Sequence, residues 1–279
     1  MAEKKLKYID LESYTIISTG IATLLSIIAS ILIVGIFVVA VPNSFGVMIY
    51  IIPTIIFGTM ICNIFLSFAE GYLYNVLSGK FGFIKLDIDG EYIKKISTKE
   101  TALIVGSISL IMILVIYLAF SLIIPLFISS LMTILMYGSQ TALAMVLYQL
   151  MFLISNPMFI AVGIIGCVIV ITVFTLLATY IYNILASSER GILVKLTNDG
   201  KLTQLESITP MNFAIAIGAI CLILNIVFGI IMVISGVPIF NALIDILMSF
   251  VSGFIGSFII AVFYNSLGPK LKKLKVELE

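Results

Sequence analysis

Two carboxylates interrupt the apolar stretches of this chain, Glu70 and Asp245, and chemistry would be sought there first. Asp245 follows Pro238 and lies roughly 10 Å into the helix that starts there, at about 1.5 Å per residue. A carboxylate at that depth is costly and marks a functional site by default. The other reading is a protonated or Asn-paired helix–helix contact, for which Asn241, one turn away, is the candidate partner. Glu70 lies one turn before Tyr74, where an interfacial carboxylate reaches headgroup water. An aspartyl-type dyad of the two would need them side by side. Asp245 is expected near the outer end of its helix and Glu70 near the inner end of another, so they should stand at different depths.

Around these two run polar stripes at helical spacing. One holds Thr59, Asn63, Ser67 and Glu70; a second holds Thr172, Thr175, Thr179 and Asn183; a third holds Asn241, Asp245, Ser249, Ser252 and Gly256. Residues three and four apart share a helix face. Such faces either line a wet path about a central axis or let helices pack closely, as Ser249, Gly253 and Ser257 would. Thr59, Asn63, Glu70, Asn241, Asp245 and Ser249 are the candidate polar pathway. The mid-span amide Asn225 is expected to bond between helices.

Other chemistry is excluded by what is missing. There is no His, and Cys62, Cys167 and Cys221 stand isolated in apolar runs, with no metal-ligand spacing. No metalloprotease helix, nucleophile elbow or phosphate loop is present. No enzyme activity, cofactor or metal is expected. A net charge of +1 gives no reason to expect nucleic acid.

The elements that must hold these residues are membrane helices. The chain is 62% hydrophobic and 10% charged over 279 residues, with repeated apolar runs of spanning length. The first run, from about Tyr14, is far longer than the hydrophobic region of a signal peptide and is read as an uncleaved span. Every Lys and Arg falls in one of four clusters: Lys4 to Lys7, Lys80 to Lys99, Arg190 to Lys201 and Lys270 to Lys275. The intervening turns at 41–46, 155–159 and 235–240 carry no charge. The positive-inside rule puts all four clusters in the cytoplasm. That gives six spans, at 14–41, 45–77, 100–124, 158–187, 210–235 and 238–267, with both termini inside a multi-pass cell-membrane protein. Residues 125–154 are read as a two-helix insertion on the outer face, carrying the stripe Ser129, Thr133, Tyr137 and Gln140 and broken by Gly138.

One stretch occurs three times without a gap: YLYNVLSGKFGFIKLDI (72–88), YIYNILASSERGILVKL (180–196) and VFYNSLGPKLKKLKVEL (262–278). In each, Tyr-Asn is followed by alternating aliphatics, the signature of a strand with one wet face. Asp89-Gly90 and Asp199-Gly200 are hairpin turns. The chain therefore reads as three tandem two-helix repeats, 1–90, 91–199 and 200–279, with a small cytoplasmic β cap. The cap takes its strands from 84–88/92–96, 192–196/202–206, about 5–11 and about 271–278, and threefold symmetry would pair the last two. Between strand and Tyr, the second repeat (Ile96 to Tyr182) is 30 residues longer than the third (Ile208 to Tyr264), the length of the outer insertion. Tyr74, Tyr182 and Tyr264 are expected as interfacial anchors, ring in lipid and hydroxyl among headgroups. Asn75, Asn183 and Asn265 are expected to cap the helix ends behind them.

The KKIS motif at Lys94 to Ser97, two helices, and the Tyr-Asn foot leading to Gly191-Ile192-Leu193-Val194-Lys195-Leu196 resemble a DUF3566-type transmembrane domain of small prokaryotic membrane proteins. The chain departs from that pattern at its Gly pair, which here is Gly82-Phe83, Arg190-Gly191 and Lys272-Lys273. The resemblance implies a fold and no activity. The function expected first is a channel or transport-type protein using the polar faces on the second helix of each repeat; the alternative is a non-catalytic scaffold or assembly protein docking a protein partner through its cytoplasmic β cap. The lipid bilayer is the partner common to both.

Overall fold

The computed structural model describes residues 2–40, 46, 49–138, 140–187 and 191–279. Among the described residues seven long α-helices and six strands follow one another. The order is β1 (Ala2–Ile9), α1 (Leu11–Ala40), α2 (Ile51–Phe81), β2 (Ile84–Asp89), β3 (Tyr92–Ile96), α3 (Thr98–Tyr137), α4 (Thr141–Ser155), α5 (Pro157–Leu185), β4 (Ile192–Asp199), β5 (Leu202–Ile208), α6 (Pro210–Ile234), α7 (Ile239–Leu267) and β6 (Lys275–Leu278). Six of the helices, all but α4, are long and apolar enough to cross a membrane. Side chains such as Phe65, Leu118, Val162 and Ile230 stand exposed along them. In water that surface would drive association, whereas hydrocarbon accepts it. The chain fits a multi-pass helical membrane protein. The turn expected near Pro42, and Arg190, lie outside the described residues.

The chain divides into two compact units, Met1–Thr101 with Leu176–Glu279, and Ala102–Thr175. In the first unit the two hairpins and the two terminal strands form one assembly, and the terminal strands β1 and β6 pair with each other as the threefold pattern requires. They close into a six-strand antiparallel barrel in the order β1-β2-β3-β4-β5-β6, with β6 returning to β1. Gly90 and Gly200 make the β2–β3 and β4–β5 turns at φ 63° and 66°, a conformation side chains with a Cβ resist. Closure removes the free edges that an open sheet would present. Each of three strand pairs carries a register shift that leaves one extra residue: Lys7 in β1, Lys94 in β3 and Glu206 in β5. Such bulges bend a strand, as closing a small barrel requires. Leu6 pairs with Ile84 and Leu278, and Val194 with Ile208, so aliphatics share one face. The described members of the four cationic clusters lie on these strands or on residues flanking them.

Helices α1 and α2 pack along their length, as do α6 and α7, and α1 also touches α7. Small residues set the approach. A side chain at Gly218 would meet Phe250 and Phe254, and one at Gly253 would meet Cys221. Gly20 takes Leu267 and Leu271 against its backbone.

In the second unit the helix expected to stop at 124 does not. α3 runs unbroken through Pro125 to Tyr137, 40 residues, roughly 60 Å at 1.5 Å per residue, against a hydrocarbon core of about 30 Å. Proline removes one N–H bond from a helix, and this apolar run tolerates the loss. The insertion is therefore the end of α3 plus the 15-residue α4. Gly138 does end the helix, and its N–H donates to the Ile134 carbonyl at 3.0 Å. Asn156 starts α5 by accepting the Met158 and Phe159 N–H groups at 3.0 and 3.3 Å, with Pro157 in the first turn.

Candidate functional site

The Tyr-Asn feet are the most heavily bonded points of the described chain. The Ile9 N–H donates to Asn75 Oδ1 at 2.8 Å, and Asn75 Nδ2 donates to the Ile9 carbonyl at 2.9 Å. Asn183 makes the same two bonds to Ile96, both 2.8 Å, and Asn265 to Ile208 at 2.9 and 2.7 Å. Each amide acts as a peptide group added to the end of a strand. It ties the foot of the second helix to the strand that feeds the first.

The tyrosines complete the tie. Tyr74, Tyr182 and Tyr264 donate to the carbonyls of Leu6, Ile93 and Leu205 at 2.6, 2.5 and 2.6 Å. The hydroxyls of Tyr182 and Tyr264 also accept a backbone N–H, from Ile192 at 3.1 Å and Leu274 at 3.2 Å, and that of Tyr74 has a backbone bond with Ile84. The three rings are 5%, 3% and 4% exposed, too enclosed for a ring in lipid. The anchoring expected of Tyr74, Tyr182 and Tyr264, and the capping expected of Asn75, Asn183 and Asn265, are thus corrected. These residues serve the barrel backbone, whose N–H and C=O groups must be paired when buried. No signal in the sequence identified the partners, because Ile9, Ile96 and Ile208 look like any strand aliphatic.

The barrel seams have matching bonds. The N–H groups of Asp10, Ser97 and Thr209 donate to the carbonyls of Lys275, Lys85 and Leu193 at 3.0, 2.9 and 3.0 Å. At the bulges, Lys7 pairs with Glu279, Lys94 with Asp89, and Glu206 accepts from Thr197 and Lys273. Gly191 runs so close to the Ile93 carbonyl that a Cβ would come within 2.7 Å of its oxygen.

The polar helix faces have separate fates. On α2, Asn63 donates to Ser18 and Thr19 of α1 at 3.2 and 3.3 Å, Ser67 to the Asn63 carbonyl, and Glu70 accepts from Tyr14 at 3.0 Å. Thr59 is half-buried on the same stripe. The α2 face is therefore directed into its own hairpin. On α5, Thr172 faces Gly106 of α3, and Asn183 serves the foot. On α7 the stripe splits. Ser249 donates to the Cys221 carbonyl of α6 at 3.3 Å, whereas Asn241, Asp245 and Ser252 are exposed. Among the described residues Asp245 has neither hydrogen bond nor ion pair. An uncompensated charge costs about 2.5–3.5 kcal/mol at the centre of a span and less toward its end, the side on which Asp245 stands. Asp245 and Glu70 are not brought together. Asn225 donates to Cys221 of its own helix rather than across helices.

Cavities open on the described helices. One of about 660 Å³ lies between the end of α3 and α4, with Ser129, Thr133 and Tyr137 among Met132, Met136 and Met145. One of about 510 Å³ between α6 and α7 is wholly apolar. Another, about 490 Å³, lies beside α1 under Leu267 and Leu271, with Thr15, Thr19 and Thr23 on its wall. Comparison with protein-family models, with curated proteins and with solved structures finds no match to this chain.

Proposed function

We propose that this chain is a non-catalytic membrane scaffold. In this reading three tandem two-helix repeats, arranged with pseudo-threefold symmetry, carry a cytoplasmic barrel on six spans in the cell membrane, and both termini are cytoplasmic. The recurrence of the foot bonds at Asn75, Asn183 and Asn265 supports the repeats and is consistent with the DUF3566-type resemblance. Collection of the cationic clusters around one barrel supports a single cytoplasmic side. The observation that carries the scaffold reading is the direction of the α2 face. Asn63, Ser67 and Glu70 find partners inside the α1–α2 hairpin and leave no row of free polar groups for water.

A channel or transport function is the second reading, and one observation favours it: Asp245 and Asn241 stand unpartnered on α7. Single cysteines at positions 59, 63, 245 and 249, in a chain whose native cysteines are replaced, separate the two. The scaffold reading expects a membrane-impermeant maleimide to leave 59, 63 and 249 unlabelled. Labelling at all four from the aqueous side would establish a wet path and overturn it. Tags at 43, 156 and 237 should be reachable only from outside, and internal access at any of them would overturn the topology.

A further inference from the structure

We propose that the exposed face of α7 around Asp245 docks a transmembrane helix of another protein that carries a Lys or Arg at the same depth. This rests on the scaffold reading and names its partner. At 100° per residue, Asn241, Asp245 and Ser252 fall within a narrow arc of α7. All three are exposed. The residues turned toward α6 occupy a different arc, where Ala242 is buried, Ile246 covers Gly229, Gly253 abuts Cys221 and Ser257 is buried. The polar arc is therefore not left over from the hairpin's own packing.

Its depth is set by its neighbours. Ile239, Phe240, Leu243 and Ile244 precede Asp245, Leu247, Met248 and Val251 follow it, and all are exposed apolar side chains. Asp245 therefore stands within the exposed apolar surface of a helix long and apolar enough to cross a membrane. An ionisable group there is matched by a partner or by water.

Charge decides the occupant. A second copy of this chain brings no cation to that depth, because every Lys and Arg lies in the four clusters and no His exists. The barrel offers no free edge for strand addition either, since all six strands are paired in a closed ring. A foreign helix with one basic residue satisfies the carboxylate, and Asn241 and Ser252 can hydrogen-bond the same helix one turn above and two turns below.

The test uses the full chain in lipid vesicles with a donor dye at its C-terminus. The probes are tryptophan-flanked Leu/Ala transmembrane peptides carrying an acceptor dye. One has a single Lys about six residues from the end opposite the barrel, matched to Asp245 by helical rise. One has that Lys near the other end, and one has none. Energy transfer should report association at least about tenfold tighter for the matched peptide than for the lysine-free one. Asp245→Asn should abolish the difference and Asp245→Glu should keep it, with the melting temperature of both variants unchanged. Equal association of all three peptides overturns the proposal, as does persistence of the preference in Asp245→Asn. If two differently labelled copies associate with each other in an Asp245-dependent way, a second copy covers the face and the proposal is wrong. Failure here with positions 59, 63 and 249 still unlabelled leaves the scaffold reading standing. A labelled path removes that reading whatever the peptides do.

Discussion

The three feet and the Asp245 face treat polar groups in opposite ways. At Asn75, Asn183 and Asn265 every amide atom has a backbone partner, and the same bonds recur at each foot. At Asp245 a carboxylate stands exposed and unpartnered, and Ile55 and Gly163 occupy the corresponding places when the chain is aligned on its Tyr-Asn feet. A group that recurs with its partners is part of what makes the chain fold. A group that occurs once and bonds to nothing nearby is free to serve something outside the chain. The contrast also explains why the α2 and α7 stripes, alike in sequence, differ in use: α1 supplies Tyr14, Ser18 and Thr19 to one, while among the described residues α6 supplies the Cys221 carbonyl to the other.

The comparison is broken most forcefully at the feet. Asn183→Leu orphans the N–H and carbonyl of Ile96, and about 2–5 kcal/mol of stability should be lost, as read by unfolding in detergent. A loss under 1 kcal/mol would mean that water replaces the amide. At the hairpins, Gly90→Val and Gly200→Val force a branched side chain into positive φ and should each cost about 1–3 kcal/mol. Unchanged melting of both would count against the turns.

Acid should act on the barrel and spare the feet. Hydrogen bonds from Lys94, Lys275, Lys273, Lys85 and Lys7, reinforced by their charge, hold the carboxyls of Asp89, Asp199, Glu206, Glu3 and Glu279 below their ordinary values. The folded chain therefore binds protons at these sites more weakly than the unfolded chain. Their stabilisation is complete above the ordinary carboxylate range and is lost as pH falls through it and below. The pairs are largely exposed, so the melting temperature should fall only modestly on acidification, and less so in high salt. A melting temperature that rose on acidification would reverse the assignment. Smaller still is the effect expected of circular permutation. Lys5 and Glu279 exchange backbone bonds at 2.6 and 3.1 Å, so the β1–β6 seam resembles a hairpin without its turn. Joining the termini with a flexible linker of about six residues, long enough to pass the β1 residues that pair with β2 beyond Lys5, and opening the chain after Gly90 should leave melting nearly unchanged. An unfolded permutant would show that the seam differs from the other two.

Much of this was legible because alternation and turn chemistry are local. The strands at 84–88 and 192–196, the Gly90 and Gly200 turns and the helix restart at Pro157 follow from residues within a few positions of each other. Pairing of the terminal strands was legible from the threefold repeat, whereas closure of the ring was not, since it depends on which hairpin edge meets which, as β1 meets β2, β3 meets β4 and β5 meets β6. The feet were misread for the same reason: Tyr74 beside an apolar run looks like an interfacial anchor until Leu6 is known to lie over it. Pro125 misled in the other direction, because in an apolar helix the missing N–H bond need not end the helix. At the candidate site, the depth of Asp245 and its separation from Glu70 were readable from spacing. The split of its stripe was not, since only packing against α6 separates Ser249 from Asn241 and Asp245.

The claim that the feet hold the fold and Asp245 does not is tested most directly by unfolding four variants side by side in one detergent: Asn75→Leu, Asn183→Leu, Asn265→Leu and Asp245→Asn. The account expects the three foot variants to lose similar stability, about 2–5 kcal/mol each, and Asp245→Asn to stay within about 0.5 kcal/mol of the parent. A destabilised Asp245→Asn beside intact foot variants would contradict it.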